Sequence, residues 1–215
     1  MKPEHRYIAV EGPIGVGKSS LATSLAKRFG ARLVMEVVEE NPFLAAFYGD
    51  RIKYAFQTQM FFLLSRFRQQ QELLQQDLFA ATTVSDYLFA KDRIFASLTL
   101  DPNELALYHR VYEAIGPRVP KPDLVIYLQA RIEVLLERIK RRSRDFERRI
   151  EEKYLASLCR AYNDFFFHYV DTPLLVVNTS EIDFVNNVAD LDDLVGVIRQ
   201  TKKGTVHYQP LPSRK

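Results

Sequence analysis

Cysteine is almost missing from this 215-residue sequence, which has a single one at Cys159. One thiol excludes an internal disulfide and a metal site built from several thiolates, and it agrees with a reducing compartment. Long apolar runs are missing too, because the longest windows, 60–64 and 165–167, fall far short of the roughly 18 to 20 residues of a membrane-spanning helix. Residues 1–5 are charged, with no signal-peptide character. We therefore expect a soluble, cytoplasmic protein without a membrane partner.

A large excess of one charge is also missing. The chain has 30 Lys and Arg against 27 Asp and Glu, a net charge of +3, so its overall charge predicts no nucleic-acid partner. The basic residues are unevenly spread, however, since the segment from Arg131 to Arg149 contains eight basic residues and only four acidic ones. This local excess indicates either an anionic ligand or a solvated surface.

The sequence does contain a regular alternation of two kinds of segment. Short apolar runs predict buried strands at residues 7–10, 33–38, 81–85, 124–128 and 174–177. Apolar residues at three- and four-residue spacing predict helices at 18–29, 52–75, 86–96, 103–115, 132–140 and 150–169. The alternation predicts an α/β fold with a five-stranded parallel sheet and helices on both faces. One domain over residues 1–200 accommodates it, and residues 201–215 are expected to form a flexible tail.

The first predicted strand runs into a glycine-rich loop of the form G-x-x-x-x-G-K-[ST], followed by a predicted helix. In this context the backbone amides and the helix N-terminus bind phosphate oxygens, the lysine reaches the outer phosphates and the hydroxyl can ligate Mg²⁺. We therefore predict a nucleoside triphosphate site. Its predicted residues are Gly12, Pro13, Ile14, Gly15, Val16, Gly17, Lys18, Ser19 and Ser20.

The loop identifies a nucleotide but not a reaction. A GTPase would need Asn-Lys-x-Asp to read guanine, and none of the asparagines precedes a lysine. A motor ATPase has an acidic strand end after four apolar residues, a pattern that the third predicted strand matches only loosely. A small kinase fits the length of the chain.

Phosphoryl transfer to a hydroxyl group requires a carboxylate beside the phosphate loop, at the carboxyl ends of the strands. Glu36 and Asp86 are the candidates, after the second and third predicted strands. Glu39 and Glu40 compete with Glu36 but are more typical of a polar helix entry. Asp86 could instead cap a helix, which is compatible with contacting Mg²⁺ through water.

Several motifs together resemble the deoxynucleoside kinase family over nearly the whole chain, from residue 7 to about residue 198. They are Glu-Gly-Pro-Ile-Gly-Val-Gly-Lys-Ser-Ser at 11–20, Glu-Val-Val-Glu-Glu-Asn-Pro-Phe at 36–43, Phe-Gln-Thr-Gln at 56–59 followed by Ser-Arg at 65–66, Ile-Phe-Ala at 94–96 and Arg-Ile-Lys-Arg-Arg-Ser-Arg at 138–144. The resemblance implies a P-loop kinase that transfers phosphate from ATP, with Mg²⁺, to the 5′-hydroxyl of a deoxynucleoside.

The resemblance also implies roles for the two carboxylates. Glu36 would be the general base and Asp86 would contribute to the Mg²⁺ site together with Ser19. Asp86 matches the acid of the family's Glu-Arg-Ser or Asp-Arg-Thr motif, whose arginine is replaced here by Tyr87. A cation near the reacting phosphates is therefore missing, so another arginine must compensate or the rate is lower.

The nucleoside pocket follows from the same resemblance. Tyr48 and Glu147 would hold the sugar 3′-hydroxyl, Gln59 would read the base with Arg66 as its companion, and Phe95 would stack on the base. Independently, Gln59 and Arg66 are seven residues apart and share a helix face. A glutamine amide matches adenine, and cytosine presents the same donor and acceptor. Without the motif, Gln59 would be interpreted as a solvated residue of a glutamine-rich helix.

The arginine-rich segment resembles the family's lid, at about residues 138–149, in which Arg138, Arg142 and Arg144 would grip phosphates. A nucleic-acid contact is the rival interpretation, which the interspersed Asp145 and Glu147 disfavour. We predict a homodimeric kinase for a purine deoxynucleoside, with deoxyadenosine favoured. A nucleoside monophosphate kinase of thymidylate-kinase type and a non-catalytic nucleotide-binding module are the alternatives.

Overall fold

A computed structural model describes residues 5–38, 40–76, 82–142, 147, 150–185 and 187–209, without the side chains of residues 74–76. Six parallel strands form one sheet in the order β2-β3-β1-β4-β5-β6. The strands are β1 Tyr7–Glu11, β2 Arg32–Val34, β3 Thr83–Ser85, β4 Leu124–Gln129, β5 Leu174–Asn178 and β6 Thr205–Tyr208. The described helices are α1 Lys18–Phe29, α2 Leu44–Gly49, α3 Arg51–Gln76, α4 Asp92–Thr99, α5 Pro102–Ile115, α6 Ile132–Arg142, α7 Glu152–Phe167 and α8 Val188–Gln200.

The strand order places the phosphate loop at the centre of one sheet edge. Ile8 of β1 pairs with Val84 of β3 on one side and with Leu124 of β4 on the other. Because the strands are parallel, the segments that follow β1, β2 and β3 leave the sheet at the same edge. Glu36 and Asp86 are therefore brought to the loop by topology, although each is far from it in sequence.

Alternate residues of the central strands pack on opposite faces of the sheet. Ile8 and Val10 belong to a buried cluster with Leu21 and Leu25 of α1. Ala9 belongs to a second cluster that includes Leu158, Tyr162 and Phe166 of α7. The three-layer α/β fold predicted from the sequence is thus confirmed, with both faces of β1 buried as expected for a central parallel strand.

The sheet has one strand more than predicted. β6 lies in the segment expected to be a flexible tail and pairs with β5. Its residues alternate between exposed and partly buried, and Val206 and Tyr208 pack against the core. Only one face of this edge strand is apolar, which explains why a search for buried runs missed it. Residues 210–215 of the predicted tail lie outside the described residues.

The segment after β3 also differs from the predicted helix over 86–96. A 3₁₀ turn forms at Phe89–Lys91, and α4 begins only at Asp92. The physical reason is a hydrogen bond, since the Leu88 amide donates to Glu11 Oε2 at 2.8 Å and Leu88 keeps an extended backbone. β2 ends at Val34 rather than at residue 38. Within the described residues, the helices lack the combination of length and apolarity needed to cross a bilayer.

Candidate active site

The loop between β1 and α1 packs so closely that two of its glycines have no room for a side chain. A Cβ at Gly12 would lie 2.5 Å from the carbonyl oxygen of Leu128, and one at Gly15 would lie 2.8 Å from that of Leu135. Both glycines have positive φ angles, 153° and 83°, which L side chains rarely adopt. The loop is thereby fixed against β4 and α6. The other residues predicted to bind nucleotide, Pro13, Ile14, Val16, Gly17, Lys18, Ser19 and Ser20, lie in this loop and the first turn of α1.

The side chain of Lys18 folds back onto the backbone of the loop. Its Nζ donates to the carbonyl oxygens of Gly12 at 2.6 Å and Pro13 at 3.2 Å. Burial lowers the pKa of Lys18 from its ordinary value, and the charge of Lys91 acts in the same direction against the opposing effect of Glu11. The ammonium is therefore held at the loop by backbone oxygens in a site that also contains a second lysine.

Ser19, Asp86 and Glu36 form a chain of hydrogen bonds across the ends of three strands. The Ser19 hydroxyl donates to Asp86 Oδ2 at 2.6 Å, and the backbone amide of Glu36 donates to Asp86 Oδ1 at 2.6 Å. Asp86 does not cap a helix, because α4 begins six residues later. Its carboxylate instead fixes the position of residue 36 relative to the phosphate loop.

The Glu36 carboxylate is held by two cations, one on each oxygen. Oε1 accepts from Arg66 Nε at 2.8 Å and also from Arg66 Nη2, while Oε2 accepts from Lys91 Nζ at 2.6 Å. Burial alone would raise the pKa of Glu36, but Arg66 and Lys91 outweigh it and hold the pKa well below its usual range. Glu36 is therefore an ionised carboxylate at neutral pH.

A cleft opens in front of this carboxylate. Gln59 and Arg66, both on α3, are 2% and 5% exposed and line the cleft, whereas the neighbouring Gln57 is exposed. Besides its charged and polar residues, the cleft is lined by apolar and aromatic side chains, as in small-molecule sites. They include Leu44, Phe47, Tyr48, Phe62, Phe95, Tyr154 and Tyr162.

Two predicted sugar contacts lie at one end of this cleft. Glu147 is 5% exposed and accepts from Arg142 Nε at 3.1 Å and from Arg142 Nη2. Tyr48 lies nearby, and burial, followed by the charges of Tyr154 and Glu147, raises the pKa of its phenol. Arg142 therefore orders an acidic side chain of this cleft, a contact that the sequence did not indicate.

A second cleft lies on the other side of the phosphate loop, against α6 and residues 180–185. The two clefts meet at Gly15, Lys18, Ser19, Met35 and Arg142, which line both of them. The lysine and hydroxyl of the loop thus stand at the boundary between two spaces. A phosphate bound by the loop would be accessible from the cleft that holds Glu36.

The predicted phosphate-gripping arginines are placed differently from one another. Arg138 braces the loop, since its guanidinium donates to the Val16 carbonyl oxygen at 3.2 Å and to the Thr179 hydroxyl and carbonyl oxygens at 3.0 and 2.8 Å. Burial lowers the pKa of Arg138. Arg142 lines both clefts. Arg144 lies outside the described residues.

The structure adds buried charged residues that the sequence interpretation missed. Glu11, with no exposed surface, accepts from the amides of Gly12 and Leu88, both at 2.8 Å, and from the Tyr162 hydroxyl at 3.0 Å. Asp92, also without exposed surface, pairs with Arg66. Lys91 is 3% exposed. The adjacent Lys91-Asp92 pair after the third strand was a usable signal, but it fell inside the predicted helix.

Comparisons with known proteins agree with this geometry. The sequence model of the family described as "Deoxynucleoside kinase" matches residues 8–202. The chain is 36% identical over 199 residues to a deoxyguanosine kinase of Bacillus subtilis (strain 168), covering 90% of this chain and 96% of the relative. It is 36% identical over 186 residues to a deoxyadenosine kinase of Dictyostelium discoideum, covering 83% and 74% of the two chains.

A solved structure shares the fold. The deoxyadenosine kinase from M. mycoides with bound dATP superimposes with a TM-score of 0.78 at 28% identity, covering 89% of this chain and 100% of that chain. The match to the family over residues 8–202 and the similarity to these kinases show that the chain is a phosphotransferase. The chain belongs to the deoxynucleoside kinase family.

Proposed function

We propose that this enzyme transfers the γ-phosphoryl group of ATP to the 5′-hydroxyl of a purine deoxynucleoside and that it prefers deoxyadenosine. The observation that carries the proposal is the chain Ser19–Asp86–Glu36, which links the phosphate loop to an ionised carboxylate in the neighbouring cleft. ATP would occupy the cleft beside α6. The nucleoside would occupy the cleft of Glu36, which is called the acceptor cleft below. The relatives named above act on purine deoxynucleosides, which supports this substrate class.

In the proposed reaction the 5′-oxygen attacks the γ-phosphorus while the bond to the ADP oxygen breaks. The hydroxyl proton passes to Glu36, which must exchange part of its contact with Lys91 or Arg66 for the substrate hydroxyl. Lys18 would neutralise charge on the transferring group. The loop would hold ATP and the cleft of Glu36 would hold the nucleoside where the two clefts meet. Much of the rate enhancement would therefore come from positioning the two substrates next to each other.

Mg²⁺ fits the residues present. Ser19 Oγ and Asp86 Oδ2 are oxygen ligands 2.6 Å apart at the loop. Mg²⁺ is commonly held by one or two protein oxygens together with substrate phosphates and water, rather than by an all-protein cage. We propose that these two residues hold the ion, directly or through water. When bound, Mg²⁺ would neutralise phosphate charge during transfer.

The acceptor cleft supports specific contacts to the nucleoside. Tyr48 and Glu147 would bind the sugar 3′-hydroxyl. Gln59 would pair its amide with the amino group and a ring nitrogen of adenine. Phe95 would contact the base, and its ring packs edge-on against Tyr162 with the ring centres 6.1 Å apart. An adenine pairs with one donor and one acceptor, and a buried amide supplies both.

The decisive experiment measures ADP formation with each of the four deoxynucleosides and, separately, with each of their monophosphates. We expect the highest kcat/KM with deoxyadenosine and negligible turnover of monophosphates, because Glu36 would repel an acceptor phosphate. A preference for deoxyguanosine would contradict the base assignment but keep the reaction. Turnover of monophosphates alone would contradict the reaction, and ATP binding without turnover would indicate a nucleotide-binding module.

We also propose that the enzyme is a homodimer that associates through its long helices. Leu64 on α3 is 50% exposed and Phe167 at the end of α7 is 84% exposed, which leaves apolar surface available on both helices. Light scattering coupled to size-exclusion chromatography should give a mass near twice the chain mass of 25.0 kDa. A monomeric mass at micromolar concentration would contradict this proposal. A cytoplasmic location remains a prediction from the sequence.

A further inference from the structure

Lys91 is a buried lysine at the reacting end of the acceptor cleft. It closes the 3₁₀ turn Phe89–Lys91, lines the cleft and is only 3% exposed. Its Nζ lies 2.6 Å from Glu36 Oε2 and 3.9 Å from Glu11 Oε2. A buried ammonium is costly unless it is paired, so these carboxylates are what keeps it there.

Glu11 and Glu36 differ in how many hydrogen-bond donors they have besides Lys91. Glu11 already accepts two backbone amides and the Tyr162 hydroxyl. Glu36 Oε2 has Lys91 as its one donor among the described residues, because Arg66 donates to Oε1. Arg66 is also shared with Asp92. The shorter contact and the missing alternative both assign Lys91 to Glu36.

Tyr87 shows why a cation is needed from residue 91. Its ring is fully buried, and its hydroxyl accepts from Gln70 Nε2 at 3.0 Å, so residue 87 points into the helix layer. The resemblance to the family implies an arginine at this position, and this chain has none. The ammonium of Lys91 lies 5.9 Å from the centre of the Tyr87 ring. Lys91 therefore supplies a buried cation beside the residue that replaces this arginine.

Resting on the proposed function, we infer that Lys91 is a positioning residue for phosphoryl transfer: it fixes the orientation of the Glu36 carboxylate toward the acceptor hydroxyl. With only Arg66 bound to Oε1, the carboxylate could rotate about its terminal bond. With Lys91 on Oε2, both oxygens are held and the side chain has one arrangement. Small displacements of a reacting group cost large factors in rate, so this constraint matters for kcat.

The test compares Lys91→Met, which keeps the length and removes the charge, with Lys91→Arg, which keeps the charge. We expect Lys91→Met to lower kcat by about 10²-fold, with ATP affinity unchanged within about threefold, and Lys91→Arg to recover about tenfold of that loss. Lys27→Met applies the same change to an exposed lysine of α1 and should match wild type. Thermal unfolding of each variant identifies misfolding, in which case Lys91→Gln replaces Lys91→Met.

A double-variant cycle separates positioning from an independent effect on the phosphates. Because Lys91 acts through Glu36, Lys91→Met should cost less than about threefold in kcat when Glu36→Gln is already present. An equal loss in both backgrounds would overturn the inference, as would near-normal turnover of Lys91→Met or equal impairment of the charged and uncharged variants. If wild type phosphorylates no nucleoside, the proposed function itself fails, which is a different result.

Discussion

The phosphate loop and the acceptor cleft differ in how the chain builds them. The loop is one run of consecutive residues whose shape follows from local backbone geometry, with Gly12 and Gly15 packed against neighbouring carbonyl oxygens. The cleft is assembled from α2, α3, α4, α7 and Glu147, which only the fold brings together. In the loop most polar contacts involve the backbone, whereas in the cleft buried side chains hold one another. Single side-chain changes should therefore have more selective effects in the cleft.

Replacing the proposed base should give the largest effect. We expect Glu36→Gln to lower kcat by about 10²-fold or more with little change in ATP affinity, because it removes proton acceptance but leaves the loop intact. Steady-state kinetics and equilibrium binding of ATP measure the two quantities. Glu40→Gln, on an exposed neighbouring residue, is the matched control. Near-normal turnover of Glu36→Gln would transfer the role of base to another acid.

Replacing Arg142 tests a residue that lines both clefts. We expect Arg142→Ala to lower kcat by about 10- to 100-fold, because contacts to the transferring group strengthen in the transition state. Since Arg142 also holds Glu147, the KM for the nucleoside should rise as well. Lys140→Ala removes one charge from the same helix and serves as control. If the variant instead lost affinity for DNA or RNA with normal kinase activity, the assignment of α6 to phosphate binding would be wrong.

A change of base preference would sharpen the comparison, because it should affect only the acceptor cleft. Gln59→Glu should weaken use of deoxyadenosine and improve use of deoxyguanosine, since a carboxylate accepts from both guanine donors. The ratio of kcat/KM for the two purines should move by about ten- to a hundredfold, as one unpaired buried group costs about 1 to 3 kcal/mol. Measuring both purines and the KM for ATP tests this.

The control for that experiment lies two residues away. Gln57→Glu makes the same chemical change on an exposed position of α3 and should leave the ratio unaltered. A wild-type preference for deoxyguanosine, or an equal shift in both variants, would remove Gln59 from the role of base reader.

The same difference explains what could be predicted from the sequence. The loop residues and α1 were predictable because glycine spacing and helical periodicity are local signals, and α1 forms at Lys18–Phe29 as expected. Gln59 and Arg66 were assigned to the nucleoside pocket because of the family motif, and their seven-residue spacing places them on one face of α3. The pairing of Arg66 with Glu36 joins residues thirty positions apart and has no local signature. The same holds for Lys91, whose position depends on a hydrogen bond between Leu88 and Glu11 that prevents the predicted helix from starting at Asp86.

The smallest effect on catalysis is expected for a change that weakens the scaffold of the cleft from a distance. Asp101 caps α5 in a capping box, accepting from the amides of Asn103 and Glu104 at 2.8 and 2.9 Å, while Glu104 accepts from the amide of Asp101. This helix packs against α3 through Leu63 and Tyr108. Asp101→Ala should lower the free energy of unfolding by about 1 kcal/mol and Tm by about 2 to 4 °C.

Well below Tm, we expect this variant to keep the wild-type kcat and the wild-type KM for both substrates, because the cap stabilises α5 and its residues line neither of the two clefts. Glu104→Gln retains an acceptor at the third position of the capping box and should keep most of the stability. Thermal unfolding and kinetics at one temperature, on both variants, check the expectation. A raised KM for the nucleoside with an unchanged KM for ATP would contradict it. That result would show that the acceptor cleft depends on the stability of its helical layer, whereas the phosphate loop is fixed by its packing against β4 and α6.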